Sequence, residues 1–283
     1  MKNKFFTLII AALMLVSLAG CTSKKPAEQT SPEKTEESTK TGDNESDGEK
    51  ELSYDKIIIG LDDTFAPMGF RDEKGGLVGF DIDLANATSE ILGIPFEFQP
   101  IDWSMKETEL NNKNIDLIWN AYTITPEREE KVLFTEPYLE NRQVVVVLAD
   151  SPINTLADLS GKTVAAQAES SAIDAIDSKP EVKDTFKELV TFDTNNECLL
   201  DLEAKRTDAV VGDEVLLAYY ISQKGSEKYK VLEENFGDEL YGIGGRKEDT
   251  ELIAAIDKAL DTLAENGKGE EISIKWFGEN KLK

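Results

Sequence analysis

From Leu52 onward, short apolar runs alternate with amphipathic stretches, which is the pattern of an α/β protein. Runs at 57–61, 115–119, 144–148, 164–166 and 209–211 read as buried strands. Amphipathic spacing predicts helices over 82–92, starting at an Asp81 cap, and over 197–205, 215–222 and 251–265. Trp119 lies inside an apolar strand and is expected in the core, while Trp276 and Phe277 read as packing residues of a terminal helix. A folded part of roughly 230 residues with this alternation is expected to divide into two lobes with a ligand cleft between them. The segments that follow strands, at Asp62, at 120–125, at 167–171 and at Asp213, would converge on that cleft.

The first 51 residues follow a different pattern. Lys2 and Lys4 precede an apolar run over 5–19 that is short of the roughly 20 residues a membrane-spanning helix needs, so it reads as an export signal. The signal ends in Leu18-Ala19-Gly20-Cys21, which resembles the lipobox of bacterial lipoproteins. The resemblance implies cleavage before Cys21 and acylation of its thiol, giving a lipid anchor rather than a protein one. Residues 22–50 carry nine Ser or Thr, eight Asp or Glu and five Lys, with Ala27 the one hydrophobic residue, so 21–51 reads as a lipidated cysteine on an acidic tether. Net charge is -25 over the whole chain, which argues against nucleic acid as a partner. Once Cys21 is acylated, Cys198 has no partner for an intramolecular disulfide and is expected to be buried and inert.

The most informative stretch is AYTITPEREEKVLFTEPY, beginning at Ala121. Thr125 suits a helix N-cap and Pro126 the first helical position, so Arg128 falls in the first turn, near unpaired backbone N–H groups. A guanidinium placed there can grip a carboxylate in a forked pair. The alternative is a surface helix on which Arg128 pairs with Glu127, Glu129 or Glu130.

Beyond this stretch, IIIGLDDTFAPMGF, GGLVGFDIDLA, KTVAAQAESSA, RTDAVVGDEV, YGIGGRKED and GKGEEISIKWFG stand in an order that resembles the polar amino-acid-binding proteins of bacterial ABC importers. That resemblance implies a two-lobed type II periplasmic-binding-protein fold of class α/β, each lobe a mixed sheet flanked by helices. Lobe 1 would comprise 52–142 plus 239–283 and lobe 2 would comprise 143–238, after a signal peptide at 1–20. Two crossing strands near 141–144 and 238–243 would form a hinge.

By the same resemblance, Arg128 holds the ligand's α-carboxylate, with help from Thr123 and from Ser170 and Ser171. Asp213 would bind the α-ammonium, and the carbonyl of Ala121 would accept from it. Asp62, Phe65 and Trp103 would surround the ligand side chain, with Asn120 and Tyr122 near the rim. Asp62 has an equal claim as the cap of its own loop. Glu169 stands where the family commonly has glycine, so it either turns outward or meets a cationic part of the ligand.

The expected partners are a small amino acid and a membrane permease. The protein would be a monomer without cofactor or metal, lipid-anchored on the extracytoplasmic face of a Gram-positive-type envelope. The chain has no histidine, which excludes His-based triads and His-ligated metals. Acidic clusters such as Asp201-Leu202-Glu203 read as solvated helix faces. Two other readings remain open at this stage: a dehydratase-like enzyme using Asp62 or Glu169 as acid, and a surface sensor without a transporter.

Overall fold

Ten strands hydrogen-bond into one sheet through residues 52–283, the part of the chain that the computed structural model describes. The expected signal, Cys21 and the tether lie outside the described residues. In chain order the first elements are β1 (Ile57–Leu61), β2 (Thr64–Phe65), β3 (Gly69–Arg71), β4 (Leu77–Val78), α1 (Phe80–Leu92), β5 (Phe96–Pro100), α2 (Lys106–Asn111), β6 (Leu117–Thr123) and α3 (Pro126–Lys131). Then come β7 (Leu133–Phe134), β8 (Leu139–Leu148), β9 (Thr163–Gln167), α4 (Ser171–Asp177), α5 (Pro180–Lys183), β10 (Glu188–Phe192), α6 (Asn195–Glu203) and β11 (Ala209–Asp213). The last are α7 (Glu214–Lys224), β12 (Tyr229–Val231), β13 (Gly237–Gly245), α8 (Thr250–Glu265) and α9 (Lys268–Phe277).

The strand order β10-β9-β11-β8-β13-β6-β1-β5 explains where a site can form. Parallel sets occupy both ends, β5-β1-β6 and β10-β9-β11. Between them β8 and β13 run antiparallel to each other, with Glu239 opposite Asn141 and Gly237 opposite Gln143. These are the two segments expected to cross, and each extends one end of the sheet into the other. The carboxyl ends of β1, β6, β9 and β11 carry Asp62, Thr123, Gln167 and Asp213, and hydrogen bonds tie Asp62 to Gln167 and, through Asn141, Asp213 to the middle of the sheet. Ligands collect beyond such strand ends in open α/β sheets.

The predicted elements form, with three informative shifts. β8 starts at Leu139 rather than 144, because its first half alternates exposed Glu140 and Arg142 with buried Asn141 and Gln143. An apolar-run criterion misses a strand whose inward side chains are amides. β6 continues to Thr123 by pairing with β13. The third shift is a correction: Asp81 does not cap α1, since Gly79 holds that position and Asp81 points into the interior from the first turn.

Aromatic and aliphatic packing follows expectation elsewhere. Trp119 is buried in the main core, Phe277 packs on Phe80 and Trp276 on Phe70. Cys198 is buried and free, and burial pushes its thiol up to about 12, so it stays unreactive. Asp201 departs from the solvated reading: it is buried and paired with Arg206, while Glu203 pairs with Lys224 at 2.9 Å.

Gly79 and Gly93 flank α1, both with positive φ (148° and 67°), yet their surroundings differ. A Cβ at Gly79 would stand 2.0 Å from the carbonyl oxygen of Met68, whereas one at Gly93 meets nothing within 4 Å. Gly93→Ala is therefore expected to cost about 1 kcal/mol and Gly79→Ala about 3 kcal/mol. Urea unfolding of both variants tests this, and equal costs would contradict it.

Candidate functional site

Arg128 is placed by local sequence before any ligand is considered. Thr125 caps α3 by accepting from the Arg128 N–H at 3.2 Å, and Pro126 opens the helix. The side chain then turns inward and is 5% exposed. Its guanidinium donates to the carbonyl of Thr123 at 3.1 Å and to that of Glu169 at 3.3 Å, and it lies 4.8 Å from the ring centre of Tyr122. The nearest carboxylate, Asp174, is 4.0 Å away and half exposed. None of the neighbouring glutamates takes up Arg128; Glu127 pairs with Lys131 instead. A buried cation held by neutral carbonyls and a ring face lacks a full counter-charge, a shortfall that commonly costs ~3 to 5 kcal/mol.

Backbone strain sits beside it. Ala121 and Glu169 both hold left-handed backbone (φ 48° and 54°), a region costly for residues with a Cβ. At Glu169 this is backbone that glycine adopts without strain; the Glu169 side chain is exposed, while its carbonyl receives both Arg128 and Lys106 Nζ, the latter at 3.0 Å. At Ala121 the N–H donates to Asp81 Oδ2 at 2.8 Å, and Tyr138 donates to Oδ1 at 2.9 Å. Asp81 thus fixes the strained turn of β6 from below.

The opposite charge is Asp213, 4% exposed at the end of β11. It occupies an N-cap position without capping, accepting instead from Asn141 Nδ2 at 2.9 Å and from the Tyr241 hydroxyl at 2.6 Å. Burial first, and then repulsion from Glu239, hold its carboxyl well above the usual range.

The remaining expected residues fall into three groups. Ser171 Oγ meets Thr123 Oγ1 at 3.0 Å and Gln143 Nε2 at 3.1 Å, so the carboxylate donors of the two chain segments touch. The Ser170 hydroxyl, by contrast, turns back onto the Gln167 carbonyl at 2.8 Å. Asp62 caps its own loop, Oδ1 accepting from the Thr64 N–H at 2.9 Å, and its Oδ2 accepts from Gln167 Nε2 at 2.8 Å. Asn120 Oδ1 receives the Asp62 N–H at 3.0 Å, and its buried Nδ2 has no partner among the described residues. Phe65 is buried in the main core cluster.

Trp103, expected beside the ligand side chain, is buried edge-on to Tyr122 with Lys106 Nζ 5.2 Å from its ring centre. One placement differs from the sequence reading. Tyr122 is not at a rim, since it is fully buried beneath Arg128 and donates to Glu107 at 2.8 Å. Lys106, Asn141, Gln143, Gln167 and Glu239 were missed as site residues. For Lys106 the one usable signal is position, three residues after Trp103; burial lowers it to about 8.

This mixed sheet, with two parallel ends joined by crossing strands and a charged junction at their carboxyl ends, defines an α/β receptor of the two-lobed type II class. The chain belongs to the bacterial extracellular solute-binding proteins, family 3, whose profile matches residues 57–279. Among solved structures it is similar to a Streptococcus pneumoniae ABC uptake transporter substrate-binding protein with bound histidine, at 44% identity and TM-score 0.79, covering 81% of this chain and 95% of that one. It is also similar to the glutamine-binding protein of Geobacillus stearothermophilus, 34% identical over 246 residues, 85% of this chain and 90% of the relative. The arginine-binding extracellular protein ArtP of Bacillus subtilis is 27% identical over 278 residues, 97% and 98% of the two chains.

Burial lifts Asp81 from 3.8 to about 7. The folded value lies above the unfolded one, so the native state keeps the proton longer and stability falls as pH rises between those values, then levels off. Asp81→Asn removes that slope, so the gap by which wild type exceeds the variant should shrink between about pH 4 and about pH 7 in urea unfolding. Parallel pH profiles would contradict this.

Proposed function

We propose that the protein captures a polar L-α-amino acid between two lobes, 52–142 plus 239–283 and 143–238, and presents it to the permease of an ABC importer. The observation that carries the reading is Arg128, a buried guanidinium whose nearest carboxylate is 4.0 Å away. An α-carboxylate would supply the missing anion, with the Thr123 and Ser171 hydroxyls beside it. Asp213 would take the α-ammonium at the far side of the Asn141–Gln143 cluster. Relatives bound to histidine or named for glutamine and arginine support the ligand class.

Asp62, Phe65, Trp103, Asn120 and Tyr122 surround the side chain in this reading, with the Ala121 carbonyl and Ser170 at the zwitterion. A buried carboxylate at Asp62 disfavours acidic ligands. Attachment follows from acylation of Cys21, which holds a monomer on the outer face of the membrane. Among the described residues no helix is long and apolar enough to cross a membrane. Capture and release need no bond breaking, so the protein is not an enzyme in this account.

Arg128→Lys keeps the charge but loses the fork. It should weaken binding by about a hundredfold, some 3 kcal/mol, and cut ligand-induced thermal stabilisation by a similar free energy at saturating ligand, across a panel of polar L-amino acids on refolded protein. Wild-type affinity should be of micromolar order, about -8 kcal/mol. A wild type stabilised by no member of the panel, or a variant stabilised as well as the wild type, would overturn the proposal.

A further inference from the structure

Glu239 is the charged group that neither strand pattern nor motif marks, and it stands at the centre of the site. It lies on β13 opposite Asn141 of β8. Its Oε1 accepts from Asn141 Nδ2 at 2.6 Å and from Gln143 Nε2 at 2.8 Å, and its Oε2 lies 3.1 Å from Thr123 Oγ1. The same Asn141 amide nitrogen also donates to Asp213. Two carboxylates therefore share one amide on the crossing strands, and one of them reaches across to the hydroxyl pair Thr123 and Ser171.

We propose that Glu239 is a second ammonium-binding carboxylate, which completes with Asp213 an acidic pair that closes around the ligand's α-ammonium. This rests on the amino-acid reading above. One carboxylate and one ammonium would balance; two neighbouring carboxylates, one buried and one partly buried, do not, unless a cation or a proton stands between them. The cations around the pair are few and engaged elsewhere. From α3, Arg128 is held on the Thr123 and Glu169 carbonyls; from α2, Lys106 is on the carbonyls of Trp103 and Glu169; from β8, Arg142 is bound to Glu214. From β13 and from the segment before β8, Tyr241 and Tyr138 present phenols, whose hydroxyls go to Asp213 and Asp81 respectively. The ligand's own ammonium is the natural counter-charge. In its absence Asp213 keeps a proton, which agrees with its raised range. On binding, the proton leaves to solvent as the ammonium, already charged, takes its place between two ionised carboxylates. Affinity accordingly rises with pH until Asp213 is ionised without help.

The test is calorimetry of the wild type and Glu239→Gln with L-arginine, L-glutamine, L-lysine, L-cystine and L-histidine, in buffers of different ionisation enthalpy between about pH 5 and about pH 8. For histidine the wild-type-minus-variant difference is read, so that its imidazole cancels. The wild type should release up to about one proton per ligand, diminishing as pH rises; in the variant, where burial still raises Asp213 but the repulsion from Glu239 is gone, the release should fall off at lower pH than in the wild type, and binding should be at least tenfold weaker. The wild-type proton count needs no variant and stands even if Glu239→Gln does not fold. A wild type that binds without proton release, or a variant whose release follows the wild type's pH course, overturns the second carboxylate while leaving the importer reading intact. A wild type with no binding heat for any of the five overturns both.

Discussion

The structure depends on the need of a buried guanidinium for an anion. Arg128 is brought inward by a three-residue cap, and once there it is too far from solvent to be screened. The chain answers with two carbonyls and an aromatic face, which satisfy its N–H groups but not its charge. Much that surrounds it follows from this. Glu169 accepts a left-handed backbone to aim its carbonyl at Arg128 and Lys106, and Asp81 pins the turn at Ala121 from the opposite side.

A complementary problem exists at Asp213. Its carboxylate is removed from water and surrounded by an amide, a phenol and a second carboxylate, with no cation among its hydrogen-bond partners. An arrangement with a cation lacking its anion and an acid lacking its cation is poorly balanced by itself. In the function proposed above, a zwitterion lying between the two would balance it. Contacts between segments from the two ends of the sheet, such as Asp62 with Gln167 and Tyr220 with the Thr64 carbonyl, then hold the surrounding walls together. Binding and closure are in this view one event, because contacts of closure and contacts to ligand use neighbouring groups.

Much of this was legible in the sequence. β1 matched its apolar run, α8 its amphipathic spacing, and the cap at Thr125 placed Arg128 correctly. What escaped had particular physical causes. Asp81 has the composition of a cap, but the left-handed Gly79 before it takes that place and frees the carboxylate to serve Ala121 and Tyr138. The partners of Arg128 are backbone carbonyls, which every residue owns and no motif signals. Asn141, Gln143 and Glu239 occupy strands whose buried side is polar, so a search for apolar periodicity passes over them. Trp103 has polar neighbours in sequence, which gives no sign that its neighbours in space are Tyr122 and Lys106.

Ligand analogues test the central claim most directly, because each removes one charge and leaves the protein untouched. Take the amino acid that binds best, and compare it with its α-amide, which lacks the carboxylate, and with its des-amino acid, which lacks the ammonium, by titration calorimetry at one pH and salt. The account predicts that both analogues lose at least a hundredfold in affinity, about 2.7 kcal/mol each. If either analogue binds within tenfold of the parent, the charged ends of the ligand are not what Arg128 and Asp213 await.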